Sequence, residues 1–247
     1  MGEELLRMSV TTAAADRLSP QQIAERLAAA SVVYIPLGSL EFHGPHLPIG
    51  LDALTAHGLC LQAAEVGGGI VLPVVHHAVG GEHSRYPWTI MSASPSAIET
   101  LLTETLARLS DFGVRRAVLL SGHFADEQRD LITRVAERWN ATDAALRAVA
   151  RTLGQAPQPP VAPDHAGRFE SLLLHSLAPE LVHVDALPDP GAFPAPADED
   201  PFGQDRHRAD HPLHGVFGPD PRALDVDAAA GLRDHLVSWI ASLAVAD

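Results

Sequence analysis

The chain has 247 residues, 46% of them hydrophobic, which suffices for a sizeable buried core and excludes a disordered segment. Against 17 Lys and Arg stand 31 Asp and Glu, a formal net charge of -14, so nucleic acid and anionic membrane surfaces are excluded as expected partners. The single cysteine, Cys60, excludes an internal disulfide framework and a cysteine-based zinc cluster and fits a cytoplasmic protein; no run reaches the roughly 18 apolar residues that cross a bilayer, and the first residues lack a signal-peptide pattern.

The first 18 residues carry no strong pattern and are expected to be flexible. Ser19-Pro20-Gln21-Gln22 then combines an N-cap, a proline at the first helical position and a capping-box glutamine, and Ile23, Leu27 and Ala30 follow at helical spacing. Residues 31–37 (SVVYIPL) form a continuous apolar, β-branched run, the pattern of a central strand covered on both faces. Leu54, Leu59, Leu61 and Ala64 predict a helix that stops at Gly67-Gly68-Gly69, with Cys60 buried in it, and residues 70–75 predict a second buried strand.

A glycine-rich loop (residues 79–88) precedes Ser94-Pro95, which repeats the N-cap and proline signature and opens a helix reaching Gly113. Residues 116–120 predict a third strand, 126–139 a helix with Leu131, Ile132 and Val135 inward, and 146–149 a fourth strand. Strands alternating with helices predict an α/β fold, a three-layer α/β/α domain around a mainly parallel sheet, with the whole chain, 1–247, as one domain. Beyond Gly154 only 170–177 and 228–243 read as helices, and the proline-rich stretch 188–221 reads as long loops.

Fourteen histidines direct attention to metal or proton chemistry. Ligands bind outside the carboxyl ends of parallel strands, and the residues there are rich in ligating groups. After the first strand, Glu41 and His43 are two apart, so an extended segment projects both to the same side, and Pro45 and Pro48 stiffen the loop that returns to Asp52. After the third strand, Gly122 permits a tight turn that presents His123 at the sheet edge. Residues 164–170 offer His165 and Glu170 at a helix start, where Glu170 reads either as a ligand or as a charge favoured by the helix dipole.

Carboxylate and imidazole without thiolate suit one or two Zn, Mn or Fe ions, with Asp52 able to bridge two ions ~3.5–4 Å apart. Such an ion brings a bound water toward a pKa of about 7 and polarises a carbonyl, so hydrolysis of a small-molecule substrate is the expected reaction class. His83, Tyr86 and Trp88 are candidate substrate contacts. His46 reads as a loop-orienting hydrogen-bonding group, and His76 and His77 as core or pocket wall. His207, His211 and His214 form either a chelating tract or, the preferred reading, a solvated or subunit-facing loop.

The stretch GSLEFHGPHLPIGLD resembles the signature of the creatininase-like metal-dependent amidohydrolases, Glu-x-His-Gly-Pro-His-Leu-Pro followed by Asp. SGHFAD, DHAGRFES, EHSRYPWTI and GPDPR are similar, in order, to further segments of that family. The resemblance implies a creatininase-like α/β/α fold, a homo-oligomer (a hexamer), and one or two divalent ions hydrolysing a C–N bond in a cyclic amide, formamide or peptide-like substrate. It implies Glu41, His43, Asp52, His123 and Glu170 as metal ligands, Glu170 also as a catalytic carboxylate, and His165 as the acid/base that protonates the leaving nitrogen.

Creatininase has a Glu two residues after the strand-three histidine where this sequence has Ala125, so that ligand comes from Glu170 or Asp126 or is missing; the aromatic between them is kept in kind as Phe124, a further candidate substrate contact. Trp88 replaces the glycine of Pro-Gly-Thr-Ile and Asp126 an asparagine, departures that point away from creatinine as substrate. Hydrolysis of a sugar-derived lactone or cyclic ketone, and a non-catalytic ligand-binding relative, are the competing readings.

Overall fold

The computed structural model describes residues 13–92, 94–189, 204–222 and 224–245. Four parallel strands, β1 (Val32–Leu37), β2 (Ile70–Val71), β3 (Arg116–Ser121) and β4 (Arg147–Thr152), form one sheet in the order β2-β1-β3-β4. Among the described residues six α-helices accompany them: α1 (Pro20–Ala29), α2 (Leu51–Gly67), α3 (Pro95–Asp111), α4 (Asp126–Asn140), α5 (Arg168–Leu177) and α6 (Val226–Leu243).

Alternate side chains of the buried strands enter different layers, because successive strand residues point to opposite faces. Tyr34, Val118 and Leu120 pack with Leu59 of α2, Phe169 and Leu172 of α5, and Leu232 and Leu236 of α6. Val33, Ile35, Ala117 and Leu119 pack with Leu102 and Leu106 of α3 and Leu131 and Ile132 of α4, and Ile23 and Leu27 of α1 lean on the same cluster. The expected α/β/α arrangement is therefore formed.

Local signals act as expected at α1, where the Ser19 hydroxyl accepts from the Gln22 N–H (3.3 Å) and the Gln22 side chain accepts from the Ser19 N–H (2.8 Å). At α6 the Asp225 carboxylate accepts from the Ala228 N–H (2.7 Å). Cys60 is buried in α2.

Three expectations need correction. The second strand, expected over 70–75, keeps regular pairing only at Ile70–Val71. Beyond it Leu72 N–H donates to the Tyr34 carbonyl, and the next bond to β1 comes from Val75 N–H to the Pro36 carbonyl, so the chain slips by one residue from the alternating register across Pro73-Val74. The fourth strand runs to Thr152 instead of stopping at 149; it is an edge strand whose exposed and half-buried positions take Arg147 and Arg151, which interrupts the apolar run. Residues 13–18, part of the stretch expected to be flexible, are docked: Ala13 and Ala14 are buried, and Ala14 bridges in parallel with Val71. Residues 1–12, and 190–203 of the proline-rich stretch, lie outside the described residues.

Candidate metal centre

The carboxyl ends of β1 and β3 are each followed by a glycine, Gly38 and Gly122. A Cβ on Gly38 would collide with the backbone of Asp52 and Ala53, and one on Gly122 with the carbonyl of Asp52. Only glycine lets the first turn of α2 press against both strand ends, and that approach puts Asp52 between the residues that follow them. The arm between is closed by the Glu41 N–H donating to the Ile49 carbonyl (2.7 Å), so residues 41–49 fold back and hand the chain to α2.

Glu41, His43, Asp52, His123 and Glu170 converge there, all buried. Glu41 Oε2 lies 2.9 Å from His123 Nδ1, and Asp52 Oδ2 lies 3.3 Å from the same nitrogen. His43 Nε2 lies 3.4 Å from Asp52 Oδ1 and 3.6 Å from Glu170 Oε2. Three sets of ligand atoms lie within 4.8 Å of one another: Glu41, Asp52 and His123; His43, Asp52 and Glu170; and Glu41, His43 and His165. Asp52 is common to the first two, one carboxylate oxygen facing each.

These side chains fit a divalent cation. Three carboxylates buried together with imidazoles need a positive partner, because a buried charge is costly unless paired. The Nε2 atoms of His43 and His123 are buried with no hydrogen-bond partner among the described residues. His43 Nδ1 faces the Glu41 carbonyl (3.0 Å), which only accepts, so Nδ1 carries a proton and Nε2 is the nitrogen turned toward the acids.

The electrostatics agree. Burial disfavours the charged form of His43, but the Asp52 and Glu170 carboxylates outweigh it and raise its pKa to about 10. His123 is likewise raised to about 10, burial being overcome by its hydrogen bonds to Asp52 and Glu41. Burial also opposes ionisation of Glu41, yet hydrogen bonds from His123 and His83 hold its carboxyl well below the usual range. Glu170 is pushed up, first by burial and then by the neighbouring Asp52 and Asp164 charges, against the opposing pull of His43. In the metal-free chain, then, protons occupy a cradle built for positive charge.

His165 stacks between two other imidazoles, 4.4 Å from His43 and 4.0 Å from His83. Its Nε2 donates to the Phe42 carbonyl (3.1 Å), which leaves Nδ1 as the proton-accepting nitrogen. Burial, followed by the positive charge of His43, holds His165 well below its ordinary pKa. His83 Nδ1 in turn lies 2.7 Å from Glu41 Oε1. The Glu170 carboxylate is steadied by the Ala166 N–H, 2.6 Å from Oε2.

The cluster opens into a cavity of about 450 Å³ whose wall includes His83, Phe124, Asp126, Glu127, His207 and Phe217. Of the expected substrate contacts, His83 and Phe124 reach this wall. Tyr86 sits behind it, its hydroxyl 2.6 Å from His207 Nδ1 and its ring stacked on His83 at 5.1 Å. Trp88 is 79% exposed and does not line the cavity. His76 and His77 are exposed, and so belong neither to the core nor to the pocket wall.

Sequence reasoning missed three residues here. Ser39 is buried with its hydroxyl 2.5 Å from Asp52 Oδ2 and 3.2 Å from Glu41 Oε2. His207 lines the cavity instead of a solvated loop, packed 4.6 Å from the Phe217 ring. Phe217 is carried there by an antiparallel bridge in which its N–H donates to the His165 carbonyl (2.7 Å) and its carbonyl accepts from the His165 N–H (3.1 Å). The one available signal was the run of histidines and arginines ahead of GPDPR, which the acidic surroundings masked.

The sequence profile of the family described as creatinine amidohydrolase (creatininase) matches residues 16–244. A mycofactocin precursor peptide peptidase of Mycolicibacterium smegmatis is 32% identical over 163 residues, 63% of this chain and 62% of that relative's length. A creatinine amidohydrolase of Pseudomonas putida is 27% identical over 190 residues, 66% of this chain and 71% of the relative. Among solved structures, a creatinine amidohydrolase (creatininase) superposes with a TM-score of 0.75 at 23% identity, covering 94% of this chain and 96% of that one. Solved creatininases include forms described as Mn and as Zn-Zn.

Proposed function

The chain belongs to the creatininase family, and from that premise we propose that it is a metal-dependent amidohydrolase that hydrolyses a C–N bond in a small cyclic amide, formamide or peptide-like substrate. The observation that carries this reading is the pair of ligand sets that share Asp52, Glu41–Asp52–His123 and His43–Asp52–Glu170. One or two divalent ions, Zn, Mn or Fe, bound by these sets would supply an activated water and polarise the scissile carbonyl.

The rest of the work falls to the chain's own residues. Glu41, His43, Asp52, His123 and Glu170 act as ligands. His165 is neutral and pinned at Nε2 by the Phe42 carbonyl, so its Nδ1 accepts the proton of the attacking water and returns it to the leaving nitrogen. His83 keeps Glu41 in place through Oε1, while Phe124, Phe217 and His207 offer flat walls that exclude water from the reacting bond. Ala125, small and on the cavity wall, leaves Glu170 as the carboxylate that completes the set around His43.

The chain is further proposed to form one creatininase-like domain, 1–247, and to work in the cytoplasm as a homo-oligomer, a hexamer on the family pattern, whose size size-exclusion chromatography with light scattering measures directly. The function is tested by metal analysis of the purified chain and of Asp52→Ala, followed by a metal-replete screen of cyclic amides, formamides, lactones and short peptides. Bound metal with C–N cleavage above the variant's background supports the reading. A metal-free native protein, or turnover confined to lactones, would overturn it.

A further inference from the structure

The two residues that must meet across the sheet edge, His43 and Glu170, come from parts of the chain with no sequence proximity: the arm after β1 and the first turn of α5. Two contacts bracket His43 and tie its arm to the α5 segment. On one side, the carbonyl of Phe42 accepts from His165 Nε2 (3.1 Å). On the other, His46 Nε2 and Ser171 Oγ are 3.0 Å apart, both residues fully buried. Ser171 directly follows Glu170, and His46 is three residues past His43.

Neither His46 nor Ser171 lines the cavity. Both are closed off from solvent; Leu47 and Leu174, near them in the chain, belong to a buried apolar cluster with Leu51, Ala166 and Val216, and the charges of His43, Arg222 and Asp220 reach His46. Water cannot replace the bond there, so its geometry is held more tightly than that of an exposed pair. Glu170 itself is fixed within its own segment by the Ala166 N–H, so α5 and its preceding turn move as one piece. What remains to be set is the register of that piece against the arm, and the His46–Ser171 bond sets it at the ligand-bearing turn.

We propose that His46 and Ser171 are a positioning pair that fixes the separation of His43 from Glu170 and thereby the affinity of the cation held by His43, Asp52 and Glu170. This rests on the metal-centre reading above. The set formed by Glu41, Asp52 and His123 draws nothing from α5 and is independent of the pair. The arm backbone stays anchored without the side-chain bond, because the His183 N–H donates to the His46 carbonyl (2.9 Å).

The test compares wild type, Glu170→Gln, Ser171→Ala and Ser171→Thr by competition for Zn²⁺ and Mn²⁺ against a chromogenic chelator, with thermal melting alongside. Glu170→Gln identifies the cation that depends on Glu170. Ser171→Ala is expected to weaken that same cation by about 10- to 100-fold, the usual effect of removing a partner behind a ligand, and to leave any other within about 3-fold. Ser171→Thr, which keeps the hydroxyl, is expected to restore the affinity.

The proposal is overturned if Ser171→Ala binds metal as wild type does, if it weakens both cations equally while the melting temperature falls, or if Ser171→Thr fails to restore binding. A wild-type chain that binds no cation removes the metal-centre reading itself, a different failure. Should Ser171→Ala not fold, Ser171→Cys keeps the volume with a much weaker donor and carries the same expectation.

Discussion

His43 Nδ1 lies 3.0 Å from the carbonyl oxygen of Glu41, two residues earlier in the chain. The backbone of one ligand thus orients the ring of the next, and Nε2 is aimed at Asp52 and Glu170 before any cation arrives. His43→Gln loses that aimed nitrogen while keeping a polar side chain of similar reach. It is expected to bind one cation fewer than wild type and to lose at least ~100-fold in kcat/KM, about 3 kcal/mol of transition-state stabilisation. Metal content per chain, measured beside turnover, checks this.

Asp52 faces both sets, with Oδ1 toward His43 and Oδ2 toward His123. Its removal therefore differs in kind from removal of Glu170. Asp52→Ala is expected to bind neither ion, Glu170→Gln to lose one. The same asymmetry is read in stability: a cation present at about 100 times its dissociation constant adds about 2.7 kcal/mol, which for a chain of this size is roughly 5–10 °C of melting temperature. A chelator is expected to lower the melting temperature of wild type by at least that amount and to leave Asp52→Ala unchanged. A chelator shift in the variant as large as in wild type would contradict the shared role of Asp52.

His165 stands where two roles compete. Its ligand atom falls within 4.8 Å of those of Glu41 and His43, yet its Nε2 is spent on the Phe42 carbonyl and its ring is sandwiched between His43 and His83. An acid/base role predicts that His165→Ala keeps its full metal content and loses about 10²- to 10⁴-fold in kcat. A ligand role predicts loss of metal as well. Metal analysis of the variant separates the two, and retained metal with impaired turnover is the expected result.

Much of this centre is readable from local sequence because its ligands sit directly after buried strands. The apolar runs of β1 and β3 mark central strands, and the side chains after them fall at the sheet edge by geometry alone; Glu41, His43, Asp52 and His123 meet there. Where pattern reading failed, a tertiary cause is visible. The chain slips by one residue across Pro73-Val74 and β2 ends early, and the exposed edge of β4 hides its length behind arginines. Ser39 looks like any loop serine until α2 presses Asp52 against it. Phe217 reaches the cavity through a bridge to His165, and His207 packs on its ring and bonds Tyr86, pairings between distant parts of the chain that no local spacing encodes. Trp88 fails the other way: the motif places it in an active-site loop, and a left-handed backbone (φ 60°) turns it to the surface.

His46 carries a consequence for acid stability. Its burial, and then the positive charges of His43 and Arg222, lower its pKa from 6.5 to about 4. Between those values the unfolded chain takes up a proton that the folded chain refuses. Stability from this residue is therefore fully present above pH 6.5 and is lost as pH falls toward 4, by an amount on the order of 3 kcal/mol. His46→Gln removes the titrating group, so its urea-unfolding free energy is expected to fall less steeply than that of wild type between pH 6.5 and 4. Both chains are measured with excess chelator, because protonation of ligands would otherwise release metal and mimic the effect. His57, which burial also lowers, is present in both and cancels in the difference. Parallel pH profiles for the two chains would show that the buried ring of His46 does not resist protonation in the fold.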